Sequence, residues 1–264
     1  MYWAFQCSSK YTFKMLGQTG ANRTDLAHNH FNTNIANVTL LDWQDSFKSF
    51  TNWNNLNQIL AQAACFETYI ASILKLVFDS DPGMIVGAAH HIDGVRQLKF
   101  GDTIDNKITD LYLINCTKGT WQSRISSINS LFGVTFNTLN THCGDLERLR
   151  DIRNSVGHAF GRSISKSQDY GKPVTLPMIK VNEKKVLKYF TIIYACIKEI
   201  DSYIMNNHIV NFQEFHYLHN CIIHASQHDP PITGNILLYG LNQHAREIYS
   251  LQFSNWLLNY YNSL

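Results

Sequence analysis

The sequence predicts an all-α fold, a helical bundle that carries additional segments at both ends. Apolar residues recur at steps of three and four over long stretches, which is the periodicity of amphipathic helices. Only five prolines occur in 264 residues, and they lie near expected helix ends, so long helices can run without interruption. Stretches with the alternating pattern of a β-strand are short. Together these observations favour helices packed against helices.

The first long helix is predicted over residues 43–78. Its apolar positions keep helical spacing throughout and are Phe47, Phe50, Trp53, Leu56, Leu60, Ala63, Ala64, Ile70, Ile73, Leu74 and Val77. Asp42 is the expected N-terminal cap, and Asp81-Pro82-Gly83 ends the helix. Residues 1–40 are polar, rich in Asn and Thr and without a sustained period, so they are predicted to form an irregular or partly ordered extension.

Shorter helices are predicted in the middle of the chain. Residues 84–103 contain three glycines and are expected to form a loop with short structure. One helix is predicted over residues 105–115. The next covers residues 121–132, between a capping Thr120 and a terminating Gly133.

The second half of the chain is also predicted to be helical. A helix over residues 145–160 ends at Gly161, and a polar loop over residues 163–180 leads to a helix over residues 183–205. The last fifty residues are helical with a break at Asp229-Pro230-Pro231. We therefore divide the chain into an N-terminal extension, a helical bundle and a C-terminal helical extension, which cover residues 1–40, 41–207 and 208–264.

Charge and cysteine usage narrow the class of protein. The formal net charge is +2, so nucleic-acid binding requires a local basic face rather than a polycationic chain. The six cysteines form no C-x-x-C pair, which is typical of free thiols in a reducing compartment. Residues 1–17 lack the features of a signal peptide, and no stretch approaches the roughly 20 apolar residues of a membrane span. We expect a cytoplasmic protein that does not contact a membrane.

The stretch most informative for function is Leu146-Glu-Arg-Leu-Arg-Asp-Ile-Arg153-Asn154-Ser-Val-Gly157-His158. On a helical wheel Arg153 falls at the edge of the apolar arc, where an arginine is costly unless an anion meets it. Gly157 costs about 1 kcal/mol relative to alanine inside a helix, and it leaves space between Arg153 and His158. Asn154 and His158 lie one turn apart. Such local conflicts beside a histidine indicate a functional site.

A structural reading of these residues stays open. An arginine followed by a histidine after four to six residues is a short pattern, and Arg23 and His28 fit it in the polar N-terminal extension. On this reading His158 is a surface histidine and Arg153 a structural arginine. The match at Arg153 and His158 differs in its context: it lies in a capped amphipathic helix, Asn154 directly follows the arginine, and long helices precede and follow it.

The segment "LRDIRNSVGHAF", set after "FETYIASILKLVFDSDPG", resembles the HEPN superfamily over roughly residues 43–207. Members are all-α bundles with an R-x(4–6)-H motif, and many are metal-independent endoribonucleases of toxin–antitoxin or antiviral defence systems that dimerise around a shared cleft. The resemblance implies that Arg153, Asn154 and His158 take the motif positions. It also implies an RNA substrate, a homodimer, no cofactor, and an antitoxin or sensor protein as a further partner. Phe160 stands where some members carry a tyrosine that a partner enzyme modifies, so silencing by that route is not expected.

The chemistry expected of these residues is cleavage by the RNA's own 2′-hydroxyl. Histidine can serve as base or acid near neutral pH, and the forked guanidinium of Arg153 can bind the phosphate. Supporting roles are predicted for Arg150 and Gly157 and for Glu67, as a partner that holds Arg153, although Glu67 also fits a solvated helix position. A basic face for the RNA backbone is predicted from Arg148, Arg162, Lys184 and Lys185.

Two other classes of function remain alternatives. One is an inert bundle of the same type that scaffolds a complex or senses a nucleotide. The other is a zinc-dependent protein that uses the C-terminal histidines, where His224 and His228 are spaced to offer two imidazoles to a metal. The adjacent pair His90 and His91 is a weaker match to a metal site.

Overall fold

The computed structural model describes residues 2–31, 37–91, 93–101, 106–159, 178–225, 230–244 and 248–264. The all-α prediction is confirmed: these residues form eleven α-helices and no strand, with one isolated bridge between Leu26 and Thr39. In chain order the helices are α1 (Tyr2–Gln18), α2 (Leu40–Ser80), α3 (Gly94–Phe100), α4 (Asn106–Thr117), α5 (Trp121–Phe132), α6 (Asn137–Thr141), α7 (Cys143–Ala159), α8 (Glu183–Ile204), α9 (Phe212–His224), α10 (Gly234–His244) and α11 (Leu251–Ser263).

The prediction of an irregular N-terminal extension is wrong for α1. This helix lacks a regular apolar stripe, so its sequence alone gives little sign of it. Its Phe13 ring packs against α2, with centroids 5.4 Å from Trp43 and 5.5 Å from Phe47. Aromatic contacts of this kind add to helix stability in a way that local periodicity does not report.

The start of α2 differs from the predicted cap by three residues. Thr39, not Asp42, precedes the helix, and its Oγ1 accepts a hydrogen bond from the backbone N–H of Asp42 at 3.2 Å. The Asp42 carboxylate in turn accepts from the Thr39 N–H at 3.1 Å. This reciprocal capping box keeps the pKa of Asp42 below its usual value through the hydrogen bonds from Thr39. The predicted caps of α5 are confirmed, since Thr120 Oγ1 accepts from the Ser123 N–H and Gly133 has a φ of 65°.

The chain forms two compact units, each made of two stretches of sequence. Unit 1 comprises Met1–Cys65 and Asp145–Ile193, and unit 2 comprises Phe66–Gly144 and Tyr194–Leu264. The boundaries predicted at residues 40 and 207 fall inside unit 1 and unit 2, respectively.

Unit 1 has a core built from three helices. The apolar side chains of α2, α7 and α8 that are buried there are Leu40, Leu56, Ile59, Ala63, Leu146, Leu149, Ile152, Val156, Val186, Tyr189, Ile192 and Ile193. Two asparagines of α2 fix the backbone that leads into α8. Asn55 Nδ2 donates to the Val181 carbonyl at 2.8 Å, and Asn52 Oδ1 accepts from the Val181 N–H at 2.7 Å. The residues just before α8 therefore have their backbone groups satisfied by α2.

Unit 2 contains the remaining part of α2 and most of the shorter helices. Phe66 stacks on Trp121 with ring centroids 5.2 Å apart, and both side chains are buried. Arg124 is buried beside them, and its Nη1 donates to Glu67 Oε1 at 3.0 Å. Burial raises the pKa of Cys116 to about 11 and that of Cys196 to about 12, so both remain protonated thiols at neutral pH.

The C-terminal helices α9, α10 and α11 pack within unit 2. The last-helix residue Tyr260 donates its hydroxyl to the Asp93 carboxylate, and Lys99 Nζ donates to the Tyr261 carbonyl at 2.6 Å. A Cβ at Gly240 would lie 2.2 Å from the Tyr217 hydroxyl, so a side chain at this position would collide with α9. Most of the described residues between 208 and 264 lie in helices.

One helix in the described part of the chain, α2, is long and apolar enough to span a membrane by length and composition. The expectation that no stretch approaches such a span is therefore not confirmed. The core helix of a soluble protein can meet the same criterion, and 28% of the apolar window of α2 is buried. A cytoplasmic location stays a prediction.

Candidate active site

Helix α7 positions the residues that the sequence singled out. Leu146, Leu149, Ile152 and Val156 are buried along one face, as the helical wheel predicts. Phe160 and Gly161, which the prediction placed at the end of this helix, lie outside the described residues. Packing of this buried face fixes the rotation of α7 about its own axis within unit 1. It therefore also fixes which residues α7 presents on its opposite face.

Arg153 and Asn154 lie at the margin of this buried face, and both are partly buried. Arg153 Nη1 donates a hydrogen bond to Asn154 Oδ1 at 3.0 Å. The side-chain amide of Asn154 also carries an N–H₂ group, which is a further hydrogen-bond donor. The cationic guanidinium of Arg153 and the neutral side-chain amide of Asn154 are held side by side, an arrangement of donors that suits a phosphate.

His158 is exposed in the last turn of α7. Because it follows Asn154 by four residues, the two side chains share one side of the helix. Arg153 precedes His158 by five residues and therefore points about 140° away around the helix axis. The hydrogen bond to Asn154 joins Arg153 to a residue on the same side of α7 as His158.

Gly157 adjoins open space. A Cβ built there has no atom of the described residues within 4 Å. No packing requirement in the described part of unit 1 therefore demands a glycine at this position. The opening predicted beside His158 stays a prediction.

The predicted basic face is only partly free to meet RNA. The Asp145 carboxylate accepts from Lys188 Nζ at 2.8 Å and from Arg148 Nη2 at 2.7 Å, and these cations lower its pKa to about 2. Arg148 is thus already paired with a carboxylate. Arg150, predicted to support the site, is an ion-pair partner of Glu147.

Lys184 and Lys185 lie exposed in the first turn of α8. Neither has a carboxylate within 4.0 Å among the residues the structure describes, so these two lysines remain candidates for backbone contacts. Arg162 lies outside the described residues.

Glu67 was predicted to hold Arg153, and the structure gives it a different partner within unit 2. Its Oε1 accepts from Arg124 Nη1, whose side chain is 8% exposed and also lies over the Trp121 ring. Glu67 is in unit 2 and Arg153 is in unit 1, so their pairing stays a prediction. Arg124 was missed at the sequence level because nothing local distinguishes a buried arginine from an exposed one.

The C-terminal histidines do not converge where the structure describes them. His219 Nδ1 is bonded to the Tyr261 hydroxyl at 2.7 Å, and His216 Nδ1 to the Asn220 amide at 3.1 Å. His224 is exposed at the end of α9, and His228 lies outside the described residues. Burial lowers the pKa of His219, as does the nearby His216, so this ring favours its neutral form.

A different trio in unit 2 has the geometry of a metal site. One ligand atom each from Asp81, His90 and His208 lies within 4.8 Å of the other two. Sequence reasoning considered His90 only with its neighbour His91. It missed the trio because Asp81 and His208 are 127 positions apart in the chain.

Comparison of the chain with models of known protein families, with curated proteins and with solved structures finds no significant match. The resemblance to the HEPN superfamily therefore stays an interpretation of the sequence. The confirmed class is an all-α protein of two compact helical units.

Proposed function

We propose that this protein is a metal-independent endoribonuclease of a toxin or antiviral defence system. The observation that carries the proposal is the grouping on α7 of a bonded Arg153–Asn154 pair with an exposed His158 one turn further on. The first two offer donors to a phosphate, and the third offers a group that gains or loses a proton near neutral pH.

Arg153 is the group best suited to bind the scissile phosphate. The end of α7 carries the partial negative charge of a helix C-terminus, which disfavours an anion by itself. The permanently charged guanidinium offsets this effect. Its attraction for the phosphate increases as negative charge accumulates on phosphorus in the transition state. The amide of Asn154 adds a second, neutral donor beside it.

Cleavage then proceeds with the RNA's 2′-hydroxyl as nucleophile. One imidazole removes the hydroxyl proton while the 2′-oxygen forms a bond to phosphorus and the bond from phosphorus to the 5′-oxygen breaks. A second, protonated imidazole gives its proton to the departing 5′-oxygen. The products are a 2′,3′-cyclic phosphate and a 5′-hydroxyl, and no metal or redox partner enters the balance.

The second imidazole comes from a second copy of the chain. One motif supplies one histidine, whereas this reaction transfers two protons. In a homodimer in which two α7 ends face each other, the two His158 side chains serve as base and acid. RNA is thus the substrate, and the active form is the dimer.

The test is cleavage of total RNA by the purified full-length protein in excess chelator. We expect fragments with 2′,3′-cyclic phosphate or 3′-phosphate ends, and we expect His158→Ala to abolish them. His28→Ala is the matched control, because His28 is also exposed and belongs to the other arginine–histidine match in this sequence. It should cleave like the unaltered protein. Circular dichroism must show that the chelated protein stays folded.

Three results would contradict the proposal. The first is equal cleavage by His158→Ala and by the unaltered protein. The second is cleavage of RNA that carries 2′-O-methyl groups, which lacks the nucleophile. The third is absence of cleavage by a folded, dimeric protein across a broad panel of RNAs, which would favour a scaffolding role.

A further inference from the structure

We propose that Asp81, His90 and His208 bind one Zn²⁺ ion in unit 2. The Asp81 Oδ2 atom lies 2.8 Å from His208 Nδ1 and 3.5 Å from His90 Nδ1. Zinc ligands lie about 2.0–2.2 Å from the ion, so two ligands in a tetrahedral arrangement are about 3.3 Å apart. The two separations lie on either side of this value, and small shifts of the side chains suffice to place an ion among them.

The donor set agrees with zinc. Two imidazoles and one carboxylate are a common ligand set for Zn²⁺. Mg²⁺ and Ca²⁺, by contrast, are usually bound by oxygen ligands alone. Three protein ligands leave a fourth position for water or another small ligand. The site is thus of the open type rather than the closed type of structural zinc sites.

Burial of the polar groups also needs an explanation. The side chains of Asp81 and His208 are only 3% and 4% exposed. His208 Nε2 is buried with no hydrogen-bond partner in the described part of the chain, where it lies among the rings of Phe132 and Tyr203. Hydrogen bonding alone therefore leaves this histidine incompletely satisfied, which is uncommon in a protein core. A cation held by Asp81 Oδ2 and His208 Nδ1 gives the buried carboxylate a counter-charge, while Nε2 keeps its proton and still has no partner among the described residues.

The backbone around the trio is shaped to bring these residues together. His208 lies in a single π-helical turn, Met205–Ile209, that follows α8, and such turns frequently occur at functional sites. Val210 directly after it has a φ of 46°, which is costly for a β-branched residue. His90 also has a positive φ, 63°, and its N–H donates to Asp81 Oδ1 at 2.9 Å. Unusual backbone conformations thus occur at His90 and directly after the turn that carries His208.

His90 gives the site access to solvent. Its side chain is 62% exposed, whereas the other two ligands are buried. Its ring lies nearly parallel to that of His208, at 13° and with centroids 5.3 Å apart. An ion can therefore enter at His90 and bind the two buried ligands behind it, and the open fourth position faces the same side.

This site is independent of the proposed nuclease. The three zinc ligands belong to unit 2, whereas Arg153, Asn154 and His158 belong to unit 1. Loss of zinc binding would leave the ribonuclease proposal intact, and loss of RNA cleavage would leave the zinc proposal intact. The two failures are distinguishable because zinc is measured directly and RNA cleavage is measured in chelator.

The experiment is a titration of the metal-stripped, untagged full-length protein with ZnCl₂ in competition with a chromophoric chelator. The key variant is His90→Asn, because asparagine accepts a positive φ better than other residues while it removes the imidazole. His91→Asn is the matched control, since His91 is the neighbouring exposed histidine. We expect one tightly held Zn²⁺ per chain in the unaltered protein and the control, and an affinity at least about 100-fold lower in His90→Asn.

A second readout reports on the coordination itself. Co²⁺ added in place of zinc should give visible absorption of a four- or five-coordinate ion, and His90→Asn should lose it. Zn²⁺ should also raise the melting temperature of the unaltered protein and of His91→Asn but not of His90→Asn. The proposal is overturned if the unaltered protein holds no zinc at micromolar concentration, or if His90→Asn binds the same number of ions with the same affinity.

Discussion

Arg153 Nη1 lies 3.0 Å from Asn154 Oδ1, although consecutive residues of a helix normally point in different directions. The bond therefore turns the guanidinium along the helix surface, away from the buried face that carries Ile152 and Val156. Asn154 lies on the same side of α7 as His158, so the bond joins Arg153 to a residue on that side. This relationship gives the motif a geometry that a helical wheel alone does not provide.

A first prediction follows for Arg153→Lys. Lysine keeps the charge but lacks the fork that reaches both Asn154 and a phosphate. We expect RNA cleavage to slow by roughly 100-fold, the scale seen when one preorganised donor is removed from a transition state. Cleavage rates and a thermal melt measure this, and the melt should change little.

Arg23→Lys is the control for that variant, because Arg23 is exposed and belongs to the second arginine–histidine match. Its cleavage rate should equal that of the unaltered protein. If both substitutions slow cleavage to the same extent, the role assigned to Arg153 is wrong.

The second prediction concerns the glycines of α7. A Cβ at Gly157 or at Gly144 meets no atom of the described residues within 4 Å. Alanine at either position should raise the free energy of unfolding by up to about 1 kcal/mol, because glycine is a poor helix former. Only Gly157→Ala should also lower RNA cleavage, by about tenfold or more, since the added methyl group narrows the approach to His158.

Chemical denaturation and cleavage rates separate these two effects. A Gly157→Ala protein that is stabilised and fully active would show that the space beside His158 is not used by RNA or by a second copy. Gly144→Ala reports the helix effect alone.

The third prediction is that the active species is a homodimer. Light scattering should give a mass twice that of one 30.3 kDa chain at micromolar concentration. Activity per chain should fall on dilution as dimers dissociate, because each His158 then loses its partner imidazole. Constant activity per chain across a range in which scattering shows only monomers would contradict the shared site.

A fourth prediction uses Asp145, whose pKa Lys188 and Arg148 lower to about 2. A carboxyl group with a lowered pKa in the folded protein stabilises it above the unfolded value of about 3.9. That contribution disappears as pH falls from about 4 toward 2. Asp145→Asn should cost about 1 kcal/mol at pH 7, and the difference from the unaltered protein should vanish near pH 2.

Urea denaturation at several pH values measures this contribution. Asp45→Asn is the comparison, because the Asp45–Lys48 pair is 65% and 62% exposed and should contribute almost nothing. If the two variants lose the same free energy of unfolding at pH 7, the pairing of Asp145 with two cations, Lys188 and Arg148, adds no stability over a single exposed pair.

A fifth prediction assigns the role of Glu67. Its ion pair with the buried Arg124 predicts that Glu67→Gln lowers the free energy of unfolding, by about 1–2 kcal/mol. Denaturation and RNA cleavage should be measured together. If the role of Glu67 is to pair with Arg124, the folded variant should cleave RNA at the same rate as the unaltered protein. A loss of cleavage without a loss of stability would instead support the predicted pairing with Arg153.

Much of the fold follows from local sequence signals. Thr120 and Gly133 bound α5 as predicted, because a cap and a left-handed terminator depend on adjacent residues only. The start of α7 and its buried face also follow from apolar periodicity. Helix α1 was missed because its stability depends on Phe13 and its contacts with Trp43 and Phe47 in α2, which no window of sequence shows.

The two candidate sites also differ in how far the sequence alone reveals them. Arg153, Asn154 and His158 lie within six residues of one helix, so the sequence is enough to group them. Asp81 and His208 come together only through folding, over 127 positions. Their proximity was therefore beyond the reach of a motif search, as was the buried partnership of Arg124 and Glu67.

The division into two units limits how this protein can be taken apart. The chain passes from one unit to the other three times, after residues 65, 144 and 193. Each passage falls inside a helix: α2, α7 and α8, respectively. Separating the units would therefore require three cuts through helices, and each cut would create helix ends with up to four unbonded N–H or C=O groups. Truncated fragments are thus poor reagents for assigning an activity to either unit, and single substitutions in the intact chain are the appropriate means.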